Sequence, residues 1–292
     1  MKPAPFQYIA ATSLAHALAL KSEHGDEAKF LAGGQSLMPT MNFRLARPAV
    51  LIDINGIDGL AGIACSESGP TEIGATTRYR AMERNTQFAA AFPLIREALP
   101  EIAHPQIRNR GTLGGNLSHA DPASEMPAIA VALRARLKLQ SATVERWVAA
   151  ADFFRGALTT DLQSDEMLTA IELPRPAPRT GSCFMEIARR RGDFAIAGVA
   201  AMVTLDGDQK CTHAQLVLCG VGETPVDASR AAGAFIGAVI TDQAIRDVAA
   251  LVQGMIDPAG SVHATASYQR HVAGVLAERA LAAAHRRARD GH

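Results

Sequence analysis

The amino-acid sequence predicts an α+β fold in two parts, and three observations support this. Segments with strand and helix character alternate over the first fifty-odd residues, which is typical of a small α/β unit. Three prolines within residues 174–178 favour an extended linker. After that linker, three strand-like segments precede three helix-like segments. We therefore expect a first domain at 1–176, with subdomains at about 1–55 and 56–176, and a smaller α+β domain at 180–292 built from a three-stranded sheet and helices.

The elements of the first subdomain follow from short apolar runs and capping residues. Thr12 or Ser13 can cap a helix, and Gly25 can end it. Pro39 occupies a position that the first turn of a helix tolerates. The predicted strands are 6–10, 29–32 and 50–53, and the first helix is 14–21.

The second subdomain is predicted to begin near Gly56 and to combine strands with helices. Thr76 or Thr77 is expected to cap one helix, and Ser124 or Asp121 is expected to begin another. The predicted strands are 62–65, 71–75, 137–139, 143–148 and 167–173, the predicted helices are 78–85, 92–99 and 126–133, and a short turn is predicted at 152–154. In the last domain the predicted strands are 182–187, 195–205 and 214–221, followed by helices at 228–238, 243–256 and 268–287.

The composition gives no electrostatic reason to expect binding to nucleic acid or to an anionic membrane. The 29 Lys and Arg residues balance the 29 Asp and Glu residues, and 48% of the 292 residues are hydrophobic. No apolar run reaches the roughly 18–20 residues of a membrane helix, so we expect no integral membrane segment. The N-terminus lacks a signal-peptide pattern, which predicts a cytoplasmic protein.

The four cysteines are scattered, which argues against an iron–sulfur cluster in this chain. Cys65, Cys183, Cys211 and Cys219 form no C-x-x-C pair, whereas a cluster generally needs closely spaced thiolates. We interpret them as buried or incidental thiols without disulfides. The sequence also lacks the spacing of a zinc site, so we expect no metal.

Two glycine-rich segments about eighty residues apart are the most informative feature. They are the first glycine segment, Ala32-Gly33-Gly34-Gln35-Ser36-Leu37, and the second glycine segment, Thr112-Leu113-Gly114-Gly115-Asn116. Because glycine lacks Cβ, a Gly-Gly pair lets the backbone approach a ligand and direct successive N–H groups at it, and a following helix start reinforces this. One such turn would be an ordinary tight turn. Two of them predict loops that close on a phosphate-bearing cofactor from opposite sides.

The spacing of these glycines also disfavours two common nucleotide sites. It matches neither G-x-x-x-x-G-K-[ST] nor G-x-G-x-x-G, so neither a P-loop NTPase nor a Rossmann site is indicated. Polar residues around the second segment add hydrogen-bonding capacity: Thr112 and Asn116 offer side chains, and Asp121 and Glu125 are spaced so that one can reach sugar hydroxyls.

Other polar residues have simpler interpretations. His104 and His119 have no carboxylate partner identifiable from spacing, so we interpret them as loop or structural histidines. The run Arg189–Arg191 is interpreted as a solvated face, with contact to a partner or cofactor as the less favoured alternative. Nothing resembles a Ser-His-Asp triad or paired glycosidase carboxylates.

Several segments carry a resemblance to a known family, and they occur in the family's order over nearly the whole chain. The matching segments are 32–37, 48–54, 73–77, 106–116, 120–127, 166–173 and 190–195, with 220–222 and 224–225 fitting the C-terminal domain. In these segments the chain resembles the FAD-binding subunit of the molybdenum hydroxylases, the group that includes xanthine dehydrogenase and aerobic carbon monoxide dehydrogenase.

The resemblance implies an FAD-binding domain of the vanillyl-alcohol-oxidase/p-cresol-methylhydroxylase type, with FAD extended between two subdomains. Phe30 to Leu37 are implied to line one side of the pyrophosphate and ribityl chain, and Thr112 to Asn116 the other. The implied cofactor-binding residues are Phe30, Leu31, Ala32, Gly33, Gly34, Gln35, Ser36, Leu37, Ile102, Thr112, Leu113, Gly114, Gly115, Asn116, Glu125, Leu168 and Met185.

Five of these residues have individual roles implied by the resemblance. Leu113 is expected near the flavin or its chain, Ile102 is expected to pack against the cofactor, and Leu168 is expected near the isoalloxazine. Glu125 stands where relatives usually carry an aspartate that bonds the adenosine part. Met185 stands where some relatives have a lysine by the flavin ring.

The function implied by the resemblance is electron transfer within a multi-subunit molybdenum hydroxylase. Partners would be a large molybdopterin-binding subunit and a small subunit with two [2Fe–2S] clusters, assembled as a dimer of heterotrimers, and no side chain of this chain need be catalytic. One alternative is a self-contained FAD-dependent oxidase or reductase of the same fold, which would need its own acid–base constellation. Another is a non-enzymatic nucleotide-binding module, which would be colourless. Neither the substrate nor the electron acceptor (oxygen, NAD or a quinone) is indicated.

Overall fold

The N-terminal part is a small sheet of three parallel strands. In the computed structural model, which describes residues 2–66 and 69–291, its elements are β1 (Gln7–Ala10), α1 (Leu14–His24), β2 (Ala28–Leu31), α2 (Leu37–Asn42) and β3 (Val50–Asp53). The strand order is β1-β3-β2, and Leu31 pairs in register with Asp53, so that β2 and β3 end side by side. Ser13 caps α1 by accepting a hydrogen bond from the His16 N–H at 3.1 Å, and Gly25 ends the helix, as predicted.

The middle of the chain forms a five-stranded antiparallel sheet with helices inserted between its strands. Its elements are β4 (Ile63–Ala64), β5 (Thr71–Gly74), α3 (Tyr79–Arg84), α4 (Thr86–Ala91), α5 (Pro93–Ala98), α6 (Pro105–Arg108), α7 (Leu113–His119), α8 (Glu125–Ala132), β6 (Arg136–Gln140), β7 (Glu145–Ala149), α9 (Ala150–Phe153), β8 (Phe154–Gly156), β9 (Thr159–Thr160) and β10 (Met167–Leu173). The strand order is β4-β5-β10-β6-β7, and β8 pairs with β9 as a separate hairpin. Buried Phe88, Phe92, Leu117 and Ile129 bring α4, α7 and α8 into one hydrophobic core with this sheet.

Local structure in this part differs from the prediction at two places. Thr76 and Thr77 do not cap α3, because both are buried and the Thr77 hydroxyl bonds to the backbone of Gly62, with oxygen–nitrogen and oxygen–oxygen distances of 2.9 and 3.0 Å. Arg78 precedes α3 without a side-chain cap. Residues 152–154 were predicted as a turn, but they form the end of α9 and the start of β8.

The C-terminal part is a second antiparallel sheet with helices packed against it. Its elements are β11 (Thr180–Ala188), β12 (Ala195–Leu205), β13 (Cys211–Cys219), β14 (Val226–Asp227), α10 (Ser229–Ala232), α11 (Asp242–Met255) and α12 (Ala266–Asp290). The order β11-β12-β13-β14 gives four strands rather than the predicted three, because a two-residue strand carries no recognisable periodicity. The α+β class is confirmed. Helix α12 lies so close to β11 that a Cβ on Gly181 would stand 2.1 Å from the Ala284 carbonyl oxygen.

The middle and C-terminal parts share an interface that is both apolar and polar. Phe184 of β11 is buried in the same core as α5 and α8. Glu97 of α5 accepts a hydrogen bond from the Phe184 N–H at 3.0 Å and forms a 2.6 Å ion pair with Arg287. The Gly220 N–H donates to the Pro122 carbonyl at 2.8 Å. These contacts fix the C-terminal sheet against α5, α8 and the backbone at Pro122 that precedes α8.

None of the helices within residues 2–66 and 69–291 is both long enough and apolar enough to cross a lipid bilayer. In the same residues, Cys183, Cys211 and Cys219 are buried, Cys65 is partly exposed, and all four are free thiols. No three His, Cys, Asp or Glu side chains of the described residues come together as metal ligands would.

Candidate functional site

The structure brings the two glycine segments into direct contact. A Cβ built on Gly33 would lie 2.6 Å from the Arg110 carbonyl oxygen and 2.9 Å from the Cα of Gly111, immediately before the second segment. On the other side, a Cβ on Gly115 would lie 3.8 Å from the Cβ of Ala32. Because a real Cβ essentially never approaches backbone atoms this closely, only glycine at position 33 allows the two chains to meet.

The first glycine segment is held in a turn whose carbonyl groups are already hydrogen-bonded. Gly34 has φ +69°, a left-handed conformation that favours glycine. The Gln35 side-chain amide donates to the Gly33 carbonyl at 2.8 Å, and the Met38 N–H donates to the Gly34 carbonyl at 3.1 Å. In contrast, the N–H groups of Gly33 to Leu37 donate to no described residue. The segment therefore presents unpaired donors, which is the arrangement that binds an anionic phosphate.

The second glycine segment was predicted to be a loop. In the structure it forms the start of helix α7. Thr112 caps this helix by accepting a hydrogen bond from the Gly115 N–H at 3.1 Å. The N–H groups of Leu113 and Gly114 donate to the carbonyls of Thr77 and Ala75, at 3.0 and 2.8 Å. These backbone donors are consequently used within the protein. What the segment offers a ligand must come from its side chains.

Asn116 is the side chain of the second segment that retains unused hydrogen-bonding capacity. Its amide donates to the Ser124 hydroxyl at 2.6 Å, but its buried Oδ1 atom has no partner in the described part of the chain. A buried acceptor without a donor costs free energy, and a ligand with hydroxyl or N–H groups removes that cost. The site thus combines anion-binding donors from one segment with an acceptor from the other.

Glu125 directly follows Ser124, the partner of Asn116, and is the first residue of α8. The side chain is buried, and burial raises its pKa to about 7, with the negative charges of Asp121 and Glu101 adding to the shift. A carboxyl group in this position can accept hydrogen bonds from sugar hydroxyls, which would favour its ionised form.

The other implied site residues lie at different depths. Ile102, Leu113 and Leu168 are buried in the core of the middle part. The remaining members of 30–37 are partly buried, apart from buried Gly33 and exposed Ser36. Met185 is partly buried, and its side chain packs against the core of the C-terminal part.

Strand alternation explains the position of Met185 and identifies residues that the sequence analysis missed. Its neighbours in β11, Phe184 and Glu186, occupy the opposite face of the strand. Both carboxyl oxygens of Glu186 are buried without a partner among the described residues, and burial raises its pKa to about 8. Asn55 and Arg78, at the contact between the glycine segments, were also missed, because an isolated Asn or Arg in a loop carries no motif.

His119 lies in α7, one turn after Gly115, and His104 directly precedes α6, whereas the arginine run pairs with acidic residues outside the two segments. Arg189 and Arg190 pair with Asp193, at 3.2 and 3.3 Å, and Arg191 pairs with Glu101 at 3.1 Å. The three arginine side chains are exposed, as a solvated face would be.

Fold and site together define an α+β protein with a candidate phosphate-binding site at its two glycine segments. The chain belongs to the family of FAD-binding subunits of molybdopterin dehydrogenases. Residues 4–176 match the family described as the FAD binding domain in molybdopterin dehydrogenase, and residues 182–284 match the carbon monoxide dehydrogenase flavoprotein C-terminal domain. FAD is therefore its cofactor, and the chain is the medium, FAD-carrying subunit of a molybdenum hydroxylase.

Individual relatives are similar over nearly their whole length. The chain is 42% identical to the caffeine dehydrogenase subunit beta of Pseudomonas sp. (strain CBB1), covering 97% of this chain and 96% of the relative. It is 40% identical to the 6-hydroxypseudooxynicotine dehydrogenase complex subunit alpha of Paenarthrobacter nicotinovorans, covering 99% and 97%. A solved structure of carbon monoxide dehydrogenase from Hydrogenophaga pseudoflava superimposes with a TM-score of 0.95 at 37% identity, covering 98% of this chain and 99% of that chain.

Proposed function

We propose that this subunit accepts electrons from [2Fe–2S] clusters on a small partner subunit and passes them to an external acceptor. When bound, FAD supplies the exchange of one or two electrons; the protein supplies its binding, orientation and environment. The substrate is oxidised at a molybdenum cofactor on a large partner subunit. We propose further that the complex is a cytoplasmic dimer of heterotrimers.

The observation that carries this proposal is the row of unpaired N–H groups at Gly33–Leu37, which lies against the second glycine segment. These donors bind the pyrophosphate, and Asn116 and Glu125 accept hydrogen bonds from hydroxyl or N–H groups of the cofactor. Residues 1–176 form the FAD-binding domain and 180–292 the C-terminal domain. Relatives of comparable identity carry the names of quite different substrates, caffeine and 6-hydroxypseudooxynicotine among them. This is consistent with a substrate pocket on another subunit.

The test is reduction of the bound flavin with and without the partners. We expect the purified chain to show flavin absorption bands that no small organic substrate bleaches under anaerobic conditions. Addition of a large molybdopterin-binding subunit and a small iron–sulfur subunit should make the bands bleach when substrate is added. A small subunit without its clusters should abolish that bleaching. Bleaching of the isolated chain by a substrate would instead identify a self-contained oxidase or reductase.

A further inference from the structure

One polar chain of hydrogen bonds links the backbone of the first glycine segment to the backbone just before the second segment, and its two central side chains have no assigned role. The Asn55 side-chain amide donates to the carbonyls of Ala32 and Leu31, at 2.9 and 3.2 Å. The Arg78 guanidinium donates to the Asn55 side-chain oxygen and to the Arg110 carbonyl. We call this pair of side chains the Asn55–Arg78 bridge. It connects the end of β2 to the residue pair that packs on Gly33.

Each end of the bridge is fixed by further contacts. Asp53 accepts hydrogen bonds from the Asn55 N–H at 2.9 Å, from the Asn55 amide at 2.6 Å and from the Tyr8 hydroxyl at 2.6 Å. On the other side, the Tyr79 N–H donates to the Gly111 carbonyl at 3.2 Å, so the backbone after Arg78 is paired with the backbone before Thr112. The bridge therefore joins two anchored backbones rather than two mobile loops.

The bridge has a directional effect on the first glycine segment. A peptide group whose carbonyl is hydrogen-bonded on one side is restrained in its orientation. The Ala32 carbonyl, held by Asn55, belongs to the same peptide as the Gly33 N–H, which is the first of the unpaired donors. Arg78 holds the Arg110 carbonyl, against which Gly33 packs. Together the two side chains fix both the spacing of the segments and the orientation of the donor peptide.

We propose that Asn55 and Arg78 are positioning residues for FAD, which preorganise the backbone donors of the first glycine segment without contacting the cofactor themselves. This inference rests on the proposed FAD site between the glycine segments. Preorganised donors bind more tightly because the free energy of ordering them is already spent in the free protein. Loss of the bridge raises the dissociation constant for FAD and leaves the rest of the fold intact.

The surroundings of the bridge make it suitable for substitution. A cavity of about 300 Å³ borders Asn55 and Arg78 and is also lined by Thr76 and Thr77. Shortening either side chain therefore enlarges a cavity that exists already, instead of opening a void in a packed core. Asn55 is exposed and follows β3, which makes Asn55→Ala the milder of the two substitutions.

The test measures FAD affinity and apo-protein stability in the full chain for Asn55→Ala, Arg78→Ala, Arg78→Lys and the double alanine variant. We expect each alanine variant to raise the dissociation constant, measured by flavin fluorescence, about tenfold or more. The double variant should have a dissociation constant for FAD no higher than that of the weaker-binding single variant. The reason is that both side chains act in one chain of hydrogen bonds. Arg78→Lys, which keeps the charge and can reach one acceptor, should restore part of the affinity. The matched control is Arg80→Ala, since Arg80 is 44% exposed and pairs with Glu83 on the same helix.

The apo-protein unfolding midpoint separates positioning from general structural support. Under the proposal, Asn55→Ala keeps the apo midpoint of the wild type and still binds FAD more weakly. If Asn55→Ala and Arg78→Lys both bind FAD with wild-type affinity, the inference is overturned, whether or not Arg78→Ala folds. It is also overturned if FAD affinity falls only in variants whose apo-protein unfolding midpoint is lowered. Absence of FAD binding in the wild type would instead contradict the proposed function.

Discussion

At the scale of single residues, Gly33 excludes a side chain because the two glycine segments meet there, as Gly114 does where it packs against Ala75. The Gly33 hydrogen stands where a Cβ would meet backbone atoms of Arg110 and Gly111 at 2.6 and 2.9 Å. A Cβ on Gly115 meets the Thr112 hydroxyl oxygen at the same 2.6 Å, but that atom belongs to a side chain that can rotate. Gly33 and Gly115 are therefore not equivalent, although the sequence motif presents them alike.

We expect Gly33→Ala to weaken FAD binding about tenfold or more, because the added methyl group forces the two segments apart. Gly115→Ala should weaken it less. Flavin fluorescence during titration of apo-protein measures both. Gly207→Ala is the control, since a Cβ there meets nothing within 4 Å, and it should bind FAD as the wild type does. Equal affinities in Gly33→Ala and Gly207→Ala would contradict the close contact between the segments.

Glu186 makes a separate prediction about pH, because its buried carboxyl group carries no hydrogen bond in the described structure. Burial raises its pKa to about 8, and the charges of Glu125 and Glu101 add to this, whereas an unfolded glutamate titrates at about 4.3. Between these values the native state holds a proton that the unfolded chain has released, so stability falls as the pH rises through this window. Below the unfolded pKa both states are protonated and the difference vanishes.

Glu186→Gln, which stays neutral, should therefore stabilise the protein most near pH 8 and little at pH 5. We expect a gain of about 1–3 kcal/mol at the higher pH, because the neutral amide needs neither the proton that the buried carboxyl group retains nor the buried charge that its ionisation creates. Urea unfolding of the apo-protein at pH 5, 6.5 and 8 measures this. Glu72→Gln, at an exposed position, should leave the pH profile unchanged. A Glu186→Gln gain that is the same at all three pH values would count against a buried proton at this site.

At the scale of elements, the sequence predicted what depends on local chemistry. The cap at Ser13, the stop at Gly25 and the strand Ala195–Leu205 all follow from side-chain hydrogen bonding, positive φ or apolar periodicity within a few residues. Each of these signals is complete within its own segment. The glycine pairs predicted a close approach to a cofactor, whereas the direct contact of the two segments with each other was not predicted.

The elements that were missed depend on long-range partners. In the sequence Thr77 looks like a helix cap. In the structure its hydroxyl accepts a hydrogen bond from the N–H of Gly62, fifteen residues away. The second glycine pair was predicted to be a loop. In the structure Gly114 lies in the first turn of α7, and its backbone packs against Ala75. Tertiary contacts decide both cases.

At the scale of the whole molecule, the C-terminal part is held to the FAD-binding part by a junction centred on Glu97. One carboxyl oxygen of Glu97 accepts from the Phe184 N–H at 3.0 Å and the other pairs with Arg287 at 2.6 Å. Arg287 also donates to the Ser182 carbonyl, so a single carboxylate connects α5, the edge strand β11 and α12. Because Phe184 is buried in the middle core, this polar contact lies at the margin of an apolar one.

Removal of the Glu97 carboxylate should therefore weaken the interface between the FAD-binding part and the C-terminal part without unfolding either part. We expect Glu97→Ala to lower the free energy of unfolding by about 1–3 kcal/mol, because the Phe184 N–H and the Arg287 guanidinium both lose a partner. Glu97→Gln keeps an acceptor for the N–H group but loses the charge, so its effect should be intermediate. Arg270→Ala is the control: its partner Asp257 is fully exposed, and such pairs contribute about 0–1 kcal/mol. Calorimetry measures the unfolding of all three variants. The thermal unfolding transition of Glu97→Ala should also broaden, because the C-terminal part then unfolds less cooperatively with the rest of the chain. A Glu97→Ala transition as sharp and as stable as that of Arg270→Ala would show that the apolar contact around Phe184 holds the two parts together by itself.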